Sequence, residues 1–156
     1  MEQKEYRLLL VYPSVHRGGV ERINPFWLPP LGLATVAGCT PDNWETRLVD
    51  ENVEDIDFDE ECDLVAIGFM TANCKRAYFI AEEFRNRGRK VILGGAHVTV
   101  VPEEAATSGD AIVIGDAESV WSAVIDDFSR NKLKKVYYAQ PNATNINTFS
   151  YPRRDL

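Results

Sequence analysis

At 156 residues the chain is long enough for one domain with a substantial core and short for two. Its 45% hydrophobic and 26% charged residues are ordinary for a globular protein. A formal net charge of -7 speaks against a nucleic-acid binder, which needs a basic face to neutralise phosphates.

The start, MEQKEYRLLLVYP, is charged and then only briefly apolar, unlike a signal peptide, and no apolar run approaches a membrane span. Cys39, Cys62 and Cys74 are odd in number and form no CxxC pair, so neither a zinc site nor a thiol redox motif is expected. This usage points to a cytoplasmic, reducing environment.

Five short apolar runs follow in order: Leu8–Val11, Thr46–Val49, Leu64–Phe69, Lys90–Leu93 and Ala111–Ile114. Continuous Val/Ile/Leu runs of this length suit strands buried on both faces, as in a parallel sheet. Short helices are expected after Pro29-Pro30 and at Pro102, where proline suits a first helical position. Between the third and fourth runs, Ala77, Ile80, Ala81 and Phe84 recur at helical spacing; Thr71 or Asn73 can cap the start and Gly88 can follow the end.

A further helix carries Val120, Trp121, Val124, Ile125 and Phe128 on one face, with Asp116 as the expected N-cap and Glu118 adding charge to the first turn. The acidic stretch 50–61 reads as a loop or a short surface helix. Val136–Tyr138 reads as an additional edge strand, followed by a polar segment. Alternating strands and helices imply right-handed crossovers and an α/β, doubly wound, mainly parallel five-stranded sheet flanked by helices.

In such sheets ligands sit beyond the strand C-termini. Those ends read Tyr12-Pro13-Ser14-Val15-His16-Arg17-Gly18-Gly19, Met70-Thr71-Ala72-Asn73, Gly94-Gly95-Ala96-His97 and Gly115-Asp116-Ala117-Glu118. Gly94-Gly95 lets backbone approach a ligand, or simply makes a tight turn. Gly115 carries the same two readings. Asp116 and Glu118 read first as helix-start residues, and Thr71 as a cap or a hydroxyl donor. GxGxxG is missing after the first strand, GxxxxGK[ST] is missing altogether, and the third strand ends in Phe69-Met70 rather than a phosphoacceptor Asp.

The ordered pieces LLLVYPS, PPLGLATVAG, DLVAIGFMT, VILGGAHVTVVPEEA, DAIVIGDAESVW and YPRRDL resemble the N-terminal cobalamin-binding domain of B12-dependent radical SAM enzymes. Where that family commonly shows Gly-Glu-Gly-Glu, this chain has Gly115-Asp116-Ala117-Glu118. The resemblance implies a Rossmann-like domain over residues 1–140 that binds cobalamin, and a linker over 141–156 leading toward a radical SAM barrel as partner. It places Gly94 and Gly95 along the tail's phosphate and ribose, and Gly115, with Asp116 and Glu118 beside it, near the dimethylbenzimidazole. It sets Thr71 near the tail or ring edge; His97, also at a strand end, is a further cofactor-binding candidate. The corrin's lower face would border on Ser14–Gly19 and on Leu31–Ala34, with Leu31 and Gly32 as the binding candidates.

Other cobalamin proteins use Asp-x-His-x-x-Gly after the first strand, the His ligating cobalt and the Asp orienting it. Here Ser14, His16 and Gly19 keep the spacing without the carboxylate, which leaves His16 as a candidate cobalt ligand. The CxxxCxxC motif that holds a [4Fe–4S] cluster is missing, so S-adenosylmethionine and the cluster belong to another domain and this chain alone is not expected to cleave S-adenosylmethionine. The resemblance implies methyl transfer or a ring-forming oxidation for the parent enzyme. Two alternatives remain open at this point: a degenerate docking domain without a corrin, and a flavodoxin-like mononucleotide module.

Overall fold

The computed structural model describes residues 6–15, 29–139 and 150–156. Six parallel strands form one sheet: β1 (Tyr6–Tyr12), β2 (Trp44–Asp50), β3 (Leu64–Gly68), β4 (Lys90–Gly94), β5 (Ala111–Ile114) and β6 (Val136–Tyr138), in the order β2-β1-β3-β4-β5-β6. All pairings are parallel, and the edge strand expected at Val136–Tyr138 pairs Ile112 with Val136 and Ile114 with Tyr138. The order reverses between β1 and β3, which makes that boundary the switch point where ligands collect in open α/β sheets. Residues 51–63, left between loop and helix by their composition, form turns and loop.

The helices are α1 (Leu31–Gly38), α2 (Cys74–Asn86), α3 (Ala96–Val100), α4 (Pro102–Ser108) and α5 (Trp121–Ser129). The stripe Ala77, Ile80, Ala81 and Phe84 of α2 is fully buried against Leu9, Val65, Ile67 and Leu93. Burying an Ile or Phe in this way contributes roughly 1.5–3 kcal/mol each. Helix α2 ends as expected: Gly88 takes φ +78, its N–H donates to Arg85 O, and Arg89 N–H donates to Phe84 O.

Two local expectations are corrected, and one element was not foreseen. Neither Thr71 nor Asn73 caps α2 through its side chain; a 3₁₀ turn, Thr71–Asn73, precedes the helix, and Asn73 Oδ1 accepts instead from Met70 N–H. Asp116 makes no side-chain cap either, because a second 3₁₀ turn, Ala117–Ser119, delays α5 until Trp121. Helix α3 was not legible, since five residues carry no periodic signal.

The two faces hold separate cores. Leu9, Val11, Val65, Ile67 and Val91 pack with α2 and α4; Leu8, Leu10, Ala66, Ile92 and Val113 pack with α1 and α5. The steps β3–β4 and β5–β6 run in the same direction across the sheet, so crossovers of one hand would put α2 and α5 on the same face. They lie on opposite faces, and α5 is the exception to the hand shared by α1 and α2. This departure from the expected right-handed crossovers sets α5 beside α1.

Candidate functional site

A crevice of about 390 Å³ opens between those two helices, within the roughly 300–1,000 Å³ span of small-molecule sites. Its floor is Ala66, Ile92 and Val113, from the adjacent strands β3, β4 and β5. Leu33 and Val36 of α1 form one wall, and Ala117 with Trp121 the other. Trp121 is held there by its indole N–H, which donates to Thr40 Oγ1 at 2.9 Å, just beyond the end of α1. The mouth lies at the strand ends, with Met70, Gly94, Gly95, Gly115, Asp116 and Glu118 around it.

The glycines differ in what they do. Gly68 and Gly94 are partners in register. A Cβ on Gly68 would meet Leu33 Cδ2 at 3.0 Å, so this glycine lets α1 settle on the sheet. A Cβ on Gly94 would find only Val113 Cβ, at 4.0 Å, so it would project into the crevice itself. Gly95 has φ +102, and a Cβ there would stand 2.5 Å from Phe69 O. Gly115 has φ +86, with Ala139 Cβ at 2.7 Å from where its own Cβ would be. These two are glycines for reasons of backbone geometry and close packing.

A hydroxyl that sequence reasoning missed ties the two glycine loops together. Thr99 Oγ1 donates to Gly95 O at 3.0 Å and accepts from Gly115 N–H at 3.0 Å. Thr99 sits on α3, so the signal for it was hidden with that helix.

The other expected site residues separate into two groups. Leu31, Gly32, Asp116 and Glu118 line the crevice with Gly94, Gly95 and Gly115. His97 does not: its ring is buried on the α2 side of the sheet, Nδ1 3.1 Å from Thr71 Oγ1 and Nε2 3.1 Å from Tyr78 Oη. Glu104 approaches Nε2 at 3.5 Å. Burial, with Glu104 next in order, pushes the Tyr78 phenol well above its ordinary range. Thr71 is thereby tied to His97 rather than to the crevice. Ser14 is buried at the exit of β1, where its N–H and hydroxyl both meet Glu51. His16 and Gly19 lie outside the described residues.

Among the described residues no helix is long and apolar enough to cross a membrane, and no cluster of three His, Cys, Asp or Glu side chains is placed to hold a metal ion. What the crevice can do is accept a flat, mainly apolar group between two helices, with carboxylates and backbone amides at its mouth.

Comparison with known proteins shows the family. A family model described as a B12 binding domain matches residues 25–125. The chain is 40% identical over 126 residues to a bacteriochlorophyllide d C-8(2)-methyltransferase of Chlorobaculum tepidum, covering 79% of this chain and 28% of that protein. It is 35% identical over 113 residues to the C-12(1)-methyltransferase of the same organism, covering 70% and 25%. A hopanoid C-2 methylase of Rhodopseudomonas palustris is 25% identical over 167 residues, covering 99% and 32%. The chain thus spans about a quarter to a third of the length of these relatives.

Proposed function

The chain belongs to the B12 binding domain family and is a cobalamin-binding module, and from that premise we propose that the α1/α5 crevice receives the nucleotide tail while the corrin lies across the strand ends. The observation that carries this reading is Gly94. It leaves the middle of the sheet edge without a side chain, over a floor of Ala66, Ile92 and Val113, where a planar base needs flat apolar contact. A bulkier residue there would occupy the space.

The residues present fit the group. Leu33, Val36 and Trp121 supply the apolar walls for a benzimidazole, and Gly94, Gly95 and Gly115 let ribose and phosphate pass close to backbone. Asp116 and Glu118 at the rim are acceptors for the amide N–H groups on the corrin periphery. Leu31, half exposed, and Gly32 border the ring from the α1 side. Ser14, Thr71 and His97 act from behind, holding the loops at the ends of β1, β3 and β4. His16 and Gly19 remain candidates for the lower face, with His16 the candidate cobalt ligand.

When bound, cobalamin supplies the cobalt–carbon chemistry, and the protein supplies orientation, exclusion of water and control of access. We read residues 1–140 as the binding domain and 141–156 as a connection to a radical SAM barrel, which would hold S-adenosylmethionine and a [4Fe–4S] cluster. The names of the relatives favour methyl transfer to carbon over a ring-forming oxidation for the parent enzyme. Three free thiols support a reducing, cytoplasmic setting.

The test is direct. The purified chain is mixed with hydroxocobalamin, passed through a desalting column and read by visible absorbance. Corrin bands eluting with protein in equimolar amount are expected. A colourless protein overturns the reading in favour of a docking domain, and a yellow protein with flavin bands favours a mononucleotide module.

A further inference from the structure

The exit of β1 is held more tightly than a surface loop requires. Three consecutive residues there are each tied to another element. Tyr12 O accepts from Glu51 N–H at 3.0 Å. Pro13 O accepts from Asn73 Nδ2 at 2.7 Å. Ser14 donates both its N–H, at 2.9 Å, and its hydroxyl, at 3.2 Å, to Glu51 Oε2. Glu51 follows β2 directly and is 2% exposed.

A carboxylate so deeply buried needs a counter-charge, and Arg76 of α2 provides it. Its Nε donates to Glu51 Oε1 at 2.9 Å and to Oε2 at 3.1 Å, while Nη2 completes the fork on Oε1. The guanidinium lies 4.9 Å from the ring centroid of Phe79, which adds a second restraint on its orientation. Asn73 is also fixed at its other end, accepting from Met70 N–H at 2.9 Å. The ends of β1, β2 and β3 are therefore locked together at the switch point of the sheet.

Both cores are built from apolar side chains, and Glu51 belongs to neither. We infer that Glu51, held by Arg76, is a positioning residue for the strand-end ligand: it fixes the direction in which the chain leaves β1 through Ser14. This rests on the cobalamin reading and adds to it a residue that does not line the crevice. Rigid supports of this kind lower the ordering cost of binding, because Ser14 is already placed when the ligand arrives.

The informative variant is Glu51→Gln, which keeps the volume. An amide has one acceptor oxygen, so it cannot serve both Ser14 and the Arg76 fork. Two measurements are made on the folded variant: hydrogen exchange at the Ser14 amide, with Val11 as the core control, and hydroxocobalamin affinity by equilibrium dialysis. Ser14 exchange is expected to rise roughly tenfold or more while Val11 is unchanged, and affinity to fall roughly tenfold.

If Glu51→Gln melts below the assay temperature, Arg76→Lys carries the same comparison, since it keeps a cation but loses the fork. A folded variant with wild-type Ser14 exchange, or with faster exchange but wild-type affinity, overturns the assignment. Failure of the wild-type chain to retain corrin overturns the cobalamin reading, a different outcome from either of these.

Discussion

Gly68 and Gly94 are paired in register at the last step of β3 and β4, so the two central strands end side by side without a single Cβ. One bare position is filled by Leu33 from α1, and the other is left open to the crevice. This division of labour makes the two glycines separable by mutation. Gly94 takes no left-handed backbone angle, so Gly94→Leu is expected to fold, with a melting temperature within a few degrees of wild type. Its side chain would fill the crevice, and hydroxocobalamin affinity is expected to fall by about a hundredfold or more. Parallel melting and desalting experiments check both halves.

The neighbouring glycines should respond in the opposite sense, in stability. Gly95→Ala combines φ +102 with a Cβ only 2.5 Å from Phe69 O, and is expected to cost about 2–4 kcal/mol in urea unfolding. Gly115→Ala also adopts a left-handed angle, and its Cβ would stand 2.7 Å from Ala139 Cβ, a single methyl where Gly95 meets three backbone atoms of Phe69. That substitution is expected to cost about 1–2 kcal/mol, less than Gly95→Ala. Equal costs would mean that the close packing of Gly95 on Phe69 is not felt in solution.

Cys62 gives the fold a measurable alkaline signature. The thiol is 4% exposed, and burial raises it from an ordinary 9.0 to about 11. Below pH 9 both folded and unfolded chains keep the proton, and no stability is lost. Between pH 9 and about 11 the unfolded chain ionises first, so folding free energy falls as pH rises. Cys62→Ala is expected to flatten that part of the curve of urea midpoint against pH. Cys62 should also resist a thiol reagent in the native state at pH 8, while the half-buried Cys39 and Cys74 react.

Gly38 tests the placement of the tail. A Cβ on this last residue of α1 would collide with the carbonyl of Tyr151, and Arg153 N–H donates to Ala34 O at 2.9 Å. Gly38→Val is expected to release residues 150–156 from α1. Amide exchange at Arg153 would accelerate roughly tenfold or more, and trypsin would cut after Arg153 and Arg154 sooner than in wild type. Unchanged exchange would show that the tail does not rest on α1 in solution.

The sheet was legible because parallel strands buried on both faces leave unbroken apolar runs, and even the three-residue β6 stood out from its polar surroundings. Helix α2 was legible for its stripe and for Gly88. What escaped was everything set by contacts across long stretches of chain. Glu51 looked like one more acidic residue in DENVEDIDFDEE, because Ser14 and Arg76, which explain its burial, lie 37 and 25 positions away. His97 was read as a strand-end residue; only the short α3 shows why its ring turns toward Tyr78. Trp121 was recognised as part of an apolar stripe, but its role as a crevice wall depends on α5 lying beside α1. A pattern of periodicities does not encode which face a crossover takes.

The seat of the tail on α1 has a mechanical consequence. Helix α1 is one jaw of the crevice, through Leu33 and Val36, and its opposite side is the anchorage for Tyr151 and Arg153. A displacement of residues 150–156 would therefore reach that jaw through the Arg153–Ala34 hydrogen bond. One helix thus joins the crevice wall, the contact with the tail and the bearing of Leu33 on Gly68.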